Sequence, residues 1–186
     1  DYPTEGVHFS HHVNLFRVRG VQLKGCDFSI QNCPLGMADE ANSAVFIHDG
    51  GCHVDGLCHN GIVMPCPEDD YTKSYFRGFD IGINAINDIG YNSALTVKNS
   101  VFLNNNIGIH TMNDVNTTVL FSEFFVGYEG DCGIGVYLEE TPDFCIEENS
   151  FVKSNNASQG INCFGVVADN TRSSNNIYRN SFSNLT

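Results

Sequence analysis

Three histidines and five carboxylates lie close together in one stretch of the chain, between positions 48 and 70. Imidazole nitrogens and carboxylate oxygens are common ligands of divalent metal ions in proteins. These side chains could gather near one end of the molecule and bind such an ion, with calcium as the candidate. The alternative is a solvated loop, so no metal ligand and no catalytic residue is assigned. The residues are His48, Asp49, His53, Asp55, His59, Glu68, Asp69 and Asp70.

Cysteine chemistry is concentrated in the same stretch, where Cys52, Cys58 and Cys66 alternate with the histidines. A metal site is therefore one interpretation, but no pair has the two-residue gap of a zinc knuckle. We favour disulfides and an oxidising compartment. Cys132 and Cys163 each come shortly before a repeated glycine, which would place them on neighbouring rungs within bridging reach. The disulfide candidates are Cys26, Cys33, Cys52, Cys58, Cys66, Cys132, Cys145 and Cys163.

The elements that must position these side chains are short, β-prone and repeated. An Ile-Gly-Ile-like motif recurs around four glycines at spacings of 26, 27 and 30 residues: Gly82, Gly108, Gly135 and Gly165. An Asn-Ser motif followed closely by phenylalanine starts at Asn99, Asn149 and Asn180. Self-similarity at this period, without a helical pattern, predicts a stacked β-solenoid. We expect a single domain over residues 1–186, as a fragment of a longer protein.

The alternation of apolar residues predicts which side chains face the core. The inward pairs expected in three successive rungs are Val97 with Phe102, Leu120 with Phe125, and Ile146 with Phe151. Asparagines are expected at the corners, where they tolerate the left-handed conformation and can bond to one another along the stack. Residues 49–75 break the rhythm and are interpreted as an irregular, cysteine-rich insertion loop.

The charge balance limits the partners. A formal net charge of -13, from 22 acidic and 9 basic residues, argues against nucleic acid and anionic lipid surfaces. No apolar stretch is long enough to insert into a membrane. The first residues carry no secretion signal, so we expect any signal to have been removed or to lie outside this fragment.

Residues 135–151, 165–171 and 175–182 resemble the repeats of large secreted proteins of Bacteroidetes, and residues 13–28 and 75–83 fit the same pattern. Those proteins contain right-handed parallel β-helices of the pectate-lyase-like type and often carry a sorting domain for type IX secretion. The resemblance implies a secreted or cell-surface protein in a structural, adhesive or matrix role. It implies an all-β, right-handed parallel β-helix, here of about six to seven rungs spaced by roughly 4.8 Å.

Right-handed β-helices also include polysaccharide lyases, hydrolases and epimerases, which makes such an enzyme the alternative function. The sequence contains the acidic pair Asp69-Asp70 but no Gly-His-Gly, Arg-x-Lys or Asp-Pro-His-Asp motif. We therefore favour a noncatalytic module for surface structure, adhesion or filament assembly, with partners that are either further domains of its own chain or other copies stacked end to end. Glycans are a further candidate, and the rings expected to face outward are Tyr71, Tyr75, Tyr91, Tyr128 and Tyr137.

Overall fold

The computed structural model of the protein describes residues 11–30, 43–59, 66, 70–88, 90–113, 115–127, 132–155, 157, 162–171 and 174–185. The regular elements in these ranges are all β-strands, so the all-β prediction is confirmed. Three six-stranded parallel sheets and one two-stranded antiparallel pair make up the fold. This architecture is consistent with the predicted parallel β-helix.

The chain visits the three sheets in a fixed order, and each strand pairs with its equivalent in the next pass. Sheet A contains β1 (His11–Phe16), β4 (Ser43–His48), β9 (Ile81–Ile86), β12 (Ile107–Met112), β15 (Ile134–Glu139) and β18 (Phe164–Asp169). Sheet B contains β2 (Val21–Lys24), β5 (Cys52–Asp55), β10 (Ser93–Lys98), β13 (Val115–Leu120), β16 (Cys145–Glu147) and β19 (Asn176–Tyr178). Sheet C contains β3 (Asp27–Ser29), β8 (Ser74–Arg77), β11 (Ser100–Asn105), β14 (Glu123–Val126), β17 (Ser150–Lys153) and β20 (Ser181–Ser183). We call β1, β2 and β3 the first layer and β18, β19 and β20 the last layer.

A column of phenylalanine rings runs through the core along sheet C. Neighbouring rings are stacked, with centroids 4.7 to 5.1 Å apart, which matches the spacing between paired strands. The four inner rings are at most 2% exposed. The column consists of Phe28, Phe76, Phe102, Phe124, Phe151 and Phe182.

One of the three predicted inward pairs is wrong by a single residue. Phe124, not Phe125, pairs with Phe102, and the partner of Val97 is Val119, not Leu120. Successive side chains of a strand point to opposite faces, so this error exchanges the inner and outer positions. Both candidates at each position are large and apolar, and hydrophobicity alone could not choose between them.

The repeated glycines make room for the phenylalanine column. A Cβ added to Gly108 would lie 2.5 Å from the carbonyl oxygen of Gly135 and 2.9 Å from the ring of Phe124. Gly82 and Gly135 have equivalent surroundings in their own layers, and a Cβ on Gly165 would meet the ring of Phe182. The motif therefore repeats because only glycine fits under the stacked rings.

The corner between sheets B and C takes only one or two residues in most passes, and its first residue has a positive φ. Glycine or asparagine fills this position at Gly25 and Asn99, whereas Phe121, Glu148 and Arg179 adopt it as larger residues. Serine and asparagine side chains next to this position form hydrogen bonds with backbone groups, which a buried corner would otherwise leave unpaired. They are Ser100, Ser122, Asn149 and Asn180, and Ser74, where the chain returns from the hairpin, donates in the same way to the carbonyl of Asp55.

Asn149 illustrates the predicted bonding of asparagines along the stack. Its Oδ1 accepts a hydrogen bond from the backbone N–H of Ser122 at 2.9 Å, and its Nδ2 donates to the carbonyl of Val119 at 2.9 Å. The same Nδ2 donates to Oδ1 of Asn180 at 3.0 Å. The side chain thus ties three consecutive layers together.

The insertion is narrower than the predicted range of 49–75. Residues Cys52–Asp55 form β5 in sheet B, and Ser74–Arg77 form β8 in sheet C, so both ends of the range belong to the stack. Between them the chain leaves the corner and forms an antiparallel pair of β6 (Leu57–Cys58) and β7 (Tyr71–Thr72). We call β6 and β7 the hairpin. Residues 50–53 are rich in glycine, cysteine and histidine, so their composition did not predict β5. The inward residues of this strand are Cys52 and Val54, which are 5% and 0% exposed.

Candidate functional site

Part of the predicted metal-binding stretch does gather, at the corner between sheets A and B. His48 ends β4 and Asp49 follows it with a φ of 53°, while Asp88 comes from the equivalent corner after β9. One ligand atom of each lies within 4.8 Å of the other two. His48 Nε2 lies 3.3 Å from Oδ1 of Asp88. Asp88 was not among the predicted residues, because it lies at a corner 40 positions later in the chain.

Asp49 is held by the protein itself. Its buried side chain accepts a hydrogen bond from the backbone N–H of Asp88 at 2.8 Å and another from Nε of Arg17 at 3.3 Å. Burial raises the pKa of this carboxyl, but the two hydrogen bonds and the electrostatic attraction of His48 and Arg17 outweigh it and hold the pKa below its ordinary value. Asp49 therefore stabilises the corner as an anion.

The other predicted ligands are distributed over separate places. His53 and Asp55 lie on the outer side of β5, with Nε2 and Oδ2 3.3 Å apart. Asp55 also accepts hydrogen bonds from the backbone of Gly56 and from Asn99. His59 contacts the hydroxyl of Thr72 beside the hairpin, close to Asp70, whose carbonyl accepts from the His59 N–H. Glu68 and Asp69 lie outside the described residues. Within the described ranges, only the His48 group brings three ligand atoms together.

The cysteines form one disulfide among the described residues. It joins Cys58 of β6 to Cys66, which lies between β6 and β7 in the chain, with Cα atoms 6.1 Å apart. Cys52 is a buried thiol, and burial raises its pKa to about 11, which leaves it uncharged at neutral pH. The Cys132 thiol contacts the carbonyl of Asn162 and is not bonded to Cys163. Cys26 and Cys145 are thiols as well, and Cys33 lies outside the described residues.

A groove lies on the outer face of sheet C, beside the hairpin. Its volume is about 680 Å³, which is within the usual size of ligand sites. The floor consists of outward side chains of β8, β11 and β14, one wall comes from the hairpin and Lys73, and the opposite wall comes from the corner that leads back to sheet A. The residues are Tyr71, Lys73, Tyr75, Val101, Leu103, Asn104, Glu123, Phe125, Ser154 and Asn155.

The last layer presents a second apolar surface. Phe164, Ile177 and Phe182 are each about half exposed, at 52%, 51% and 50%. Ile177 pairs with the fully buried Ile146, and Phe182 pairs with the fully buried Phe151, so both continue columns of the core. Strands β18, β19 and β20 each pair with one neighbour only within the described residues.

Comparison of the chain with protein-family models, with curated proteins and with solved structures found no match. The resemblance to secreted Bacteroidetes β-helices therefore stays a prediction. No helix that could cross a membrane occurs in the described ranges.

The sequence did not predict a groove, although it named two residues that line it. Tyr71 and Tyr75, two of the five rings expected to face outward, do line it. Lys73 and Glu123 were not predicted to line it. Their closeness depends on the excursion of the chain between β5 and β8, whose path the sequence does not indicate. Of the other expected rings, Tyr91 lies near Arg17, Tyr137 stacks on His110, and Tyr128 is outside the described residues.

Proposed function

We propose that the protein is a noncatalytic, right-handed parallel β-helix of six or seven rungs, and that its last layer is a stacking surface for another layer of the same kind. The observation that carries the proposal is the half-exposure of Ile177 and Phe182, which lie in columns that are buried throughout the inner layers. Open strand edges with apolar side chains pair readily with further strands.

The two ends of the described stack are chemically matched. The phenylalanine column begins at Phe28 and ends at Phe182, so a second copy placed on the last layer would continue it ring on ring. The column of Ile177 begins at Leu23, which is also apolar and partly buried. A head-to-tail contact of this kind is heterologous and can extend into an open filament. The proposed partner is a second copy of this chain.

An extracellular location is part of the proposal. The Cys58–Cys66 disulfide supports it, since such bonds persist mainly in oxidising compartments. The resemblance noted above supports a structural, adhesive or matrix role at the cell surface. The net charge of -13 keeps separate molecules soluble through mutual repulsion. We therefore expect association to strengthen as the salt concentration rises.

Analytical ultracentrifugation and electron microscopy over rising protein concentrations test the proposal. We expect concentration-dependent association that Phe182→Asp abolishes. Phe121→Asp is the matched control, since Phe121 is also 50% exposed but lies at a corner outside the last layer. Circular dichroism of both variants establishes that they fold. Wild-type protein that stays monomeric throughout, or equal association of both variants, would contradict the proposal.

A further inference from the structure

We propose that the groove on the outer face of sheet C binds a neutral oligosaccharide. This inference is independent of self-association, because the groove and the last layer are different surfaces. It starts from an exception in the fold. In the pass from β5 to β8, the chain leaves the stack at Gly56 and returns at Lys73. The passes before and after it turn from sheet B to sheet C in one or two residues. The departure places Tyr71 and Lys73 over the outer face of the sheet.

The floor of the groove is apolar where a solvated sheet face would be polar. Residues on the outer side of a strand alternate with the buried ones, so Tyr75, Val101 and Phe125, next to the phenylalanine column, point outward. Val101 is nevertheless only 5% exposed, and Leu103 and Phe125 are partly buried. Apolar surface of this kind, beside two tyrosine rings, fits the C–H faces of sugar rings.

The walls supply hydrogen-bonding groups suited to hydroxyls. Asn104 and Asn155 carry both an amide donor and an amide acceptor, and Ser154 carries a hydroxyl. Oγ of Ser154 lies 3.2 Å from Oδ1 of Asn104, which connects the corner loop to β11. Groups that donate and accept side by side match the hydroxyls of a sugar, each of which does the same.

The charges in the groove point to an uncharged ligand. Lys73 and Glu123 form an ion pair, so the two opposite charges compensate each other within the groove. An anionic polysaccharide would in addition meet a protein with a net charge of -13. The backbone offers nothing to an extended peptide here, because β8, β11 and β14 are each paired on both sides. Recognition must come from side chains.

Isothermal titration calorimetry of the whole 186-residue chain tests the inference, with cellohexaose, laminarihexaose and mannohexaose as neutral probes and hexagalacturonate as the anionic one. We expect saturable binding of at least one neutral probe and none of hexagalacturonate. Tyr71→Ala and Tyr75→Ala should each weaken that binding about tenfold or more, which corresponds to about 1.4 kcal/mol. Tyr178→Ala is the matched control, since Tyr178 is 54% exposed on β19 of sheet B, outside the groove.

Two of the variants separate loss of binding from loss of folding. Phe125→Leu preserves an apolar side chain but removes the ring, and it should also weaken binding. Tyr71 lies on the hairpin, where its replacement leaves the three sheets intact. Failure of all three neutral probes to bind would overturn the inference, as would preferred binding of hexagalacturonate. Equal affinities of the Tyr71, Tyr75 and Tyr178 variants would overturn it as well. Because these measurements are made at concentrations without association, they do not depend on stacking of the last layer.

Discussion

Replacing Phe124 by alanine should destabilise the fold strongly. The ring is 1% exposed and is stacked between Phe102 and Phe151, with both centroid distances at 4.7 Å. Removal of a buried phenylalanine ring costs about 3–5 kcal/mol, including the cavity that remains. Two stacked neighbours on rigid strands leave little scope for the cavity to collapse. We therefore expect Phe124→Ala to lower the free energy of unfolding by about 4 kcal/mol.

The same substitution at the end of the column provides the control. Phe182 is 50% exposed and stacks only on Phe151, at 5.0 Å. It therefore buries about half as much surface and makes one aromatic contact instead of two, each worth about 0.5–1.5 kcal/mol beyond the buried area. We expect Phe182→Ala to cost about 2 kcal/mol or less.

Urea unfolding followed by far-ultraviolet circular dichroism and tyrosine fluorescence measures both losses. The protein concentration must stay below the onset of association, so that the loss at Phe182 reports folding alone. The slope of free energy against urea should be similar for the two variants, because both expose the same stack on unfolding. Equal losses at the two positions, or a loss of less than about 1 kcal/mol at Phe124, would refute the idea that the stacked column carries the core.

Three further predictions concern close packing, the corner ladder and pH. Gly108→Ala should cost about 1–3 kcal/mol in urea unfolding, because its Cβ would lie 2.5 Å from the carbonyl oxygen of Gly135. Asn149→Ala should cost about 1–3 kcal/mol in the same assay, because it leaves buried backbone groups unsatisfied. Asp49 has a lowered pKa in the folded protein, so its anion contributes stability above about pH 4, and this contribution is lost as the pH falls through the folded-state pKa. Asp49→Asn should therefore be less stable than wild type at neutral pH, with a difference that shrinks on acidification, as measured by unfolding midpoints across this range.

Two of these predictions have a matched comparison variant, and the third has an outcome that would contradict it directly. Asn155→Ala removes an exposed asparagine and should leave stability unchanged, so an equal loss at Asn149 and Asn155 would contradict the role of the ladder. Asp169→Asn, at an exposed carboxylate, is the comparison for Asp49→Asn and should leave stability at neutral pH unchanged. If Gly108→Ala unfolded at the same urea concentration as wild type, the Cβ would have been accommodated and the packing argument would fail.

The repeat predicted the strands well because stacking leaves inward positions little freedom. Only glycine fits beneath the ring in each Ile-Gly-Ile-like motif, and the corner asparagines satisfy buried backbone groups. Both residue types therefore recur at the same place in the repeat, where the sequence shows them. The repeat did not predict which residues of β13 and β14 face the core, because two large apolar residues are adjacent at both Val119-Leu120 and Phe124-Phe125. Only pairing between strands decides which of them faces the core.

The candidate sites were harder to predict, since each depends on distances between distant parts of the chain. Asp88 meets His48 only because their corners stack, and nothing near Asp88 in sequence indicates it. The bounds of the insertion were overestimated because two glycines precede β5 and the strand itself combines cysteine, histidine and aspartate with a single valine. Composition described the local chain correctly, but the strands on both sides determined its conformation.

The apolar floor of the groove is not explained by the stacking of the layers. The requirements of a solenoid act on inward side chains and on corners, and they place no demand on the outer face of a sheet. Apolar residues such as Leu103 and Phe125 on that face add nothing to the core, and in a bare sheet they would be exposed to water. Here they form the floor of a groove whose wall includes Tyr71 of the hairpin, directly opposite Cys58 in the antiparallel pair, and Cys58 is bonded to Cys66. Because neither the apolar floor nor the hairpin is needed to build the stack, we propose sugar binding in the groove as a physical account of both.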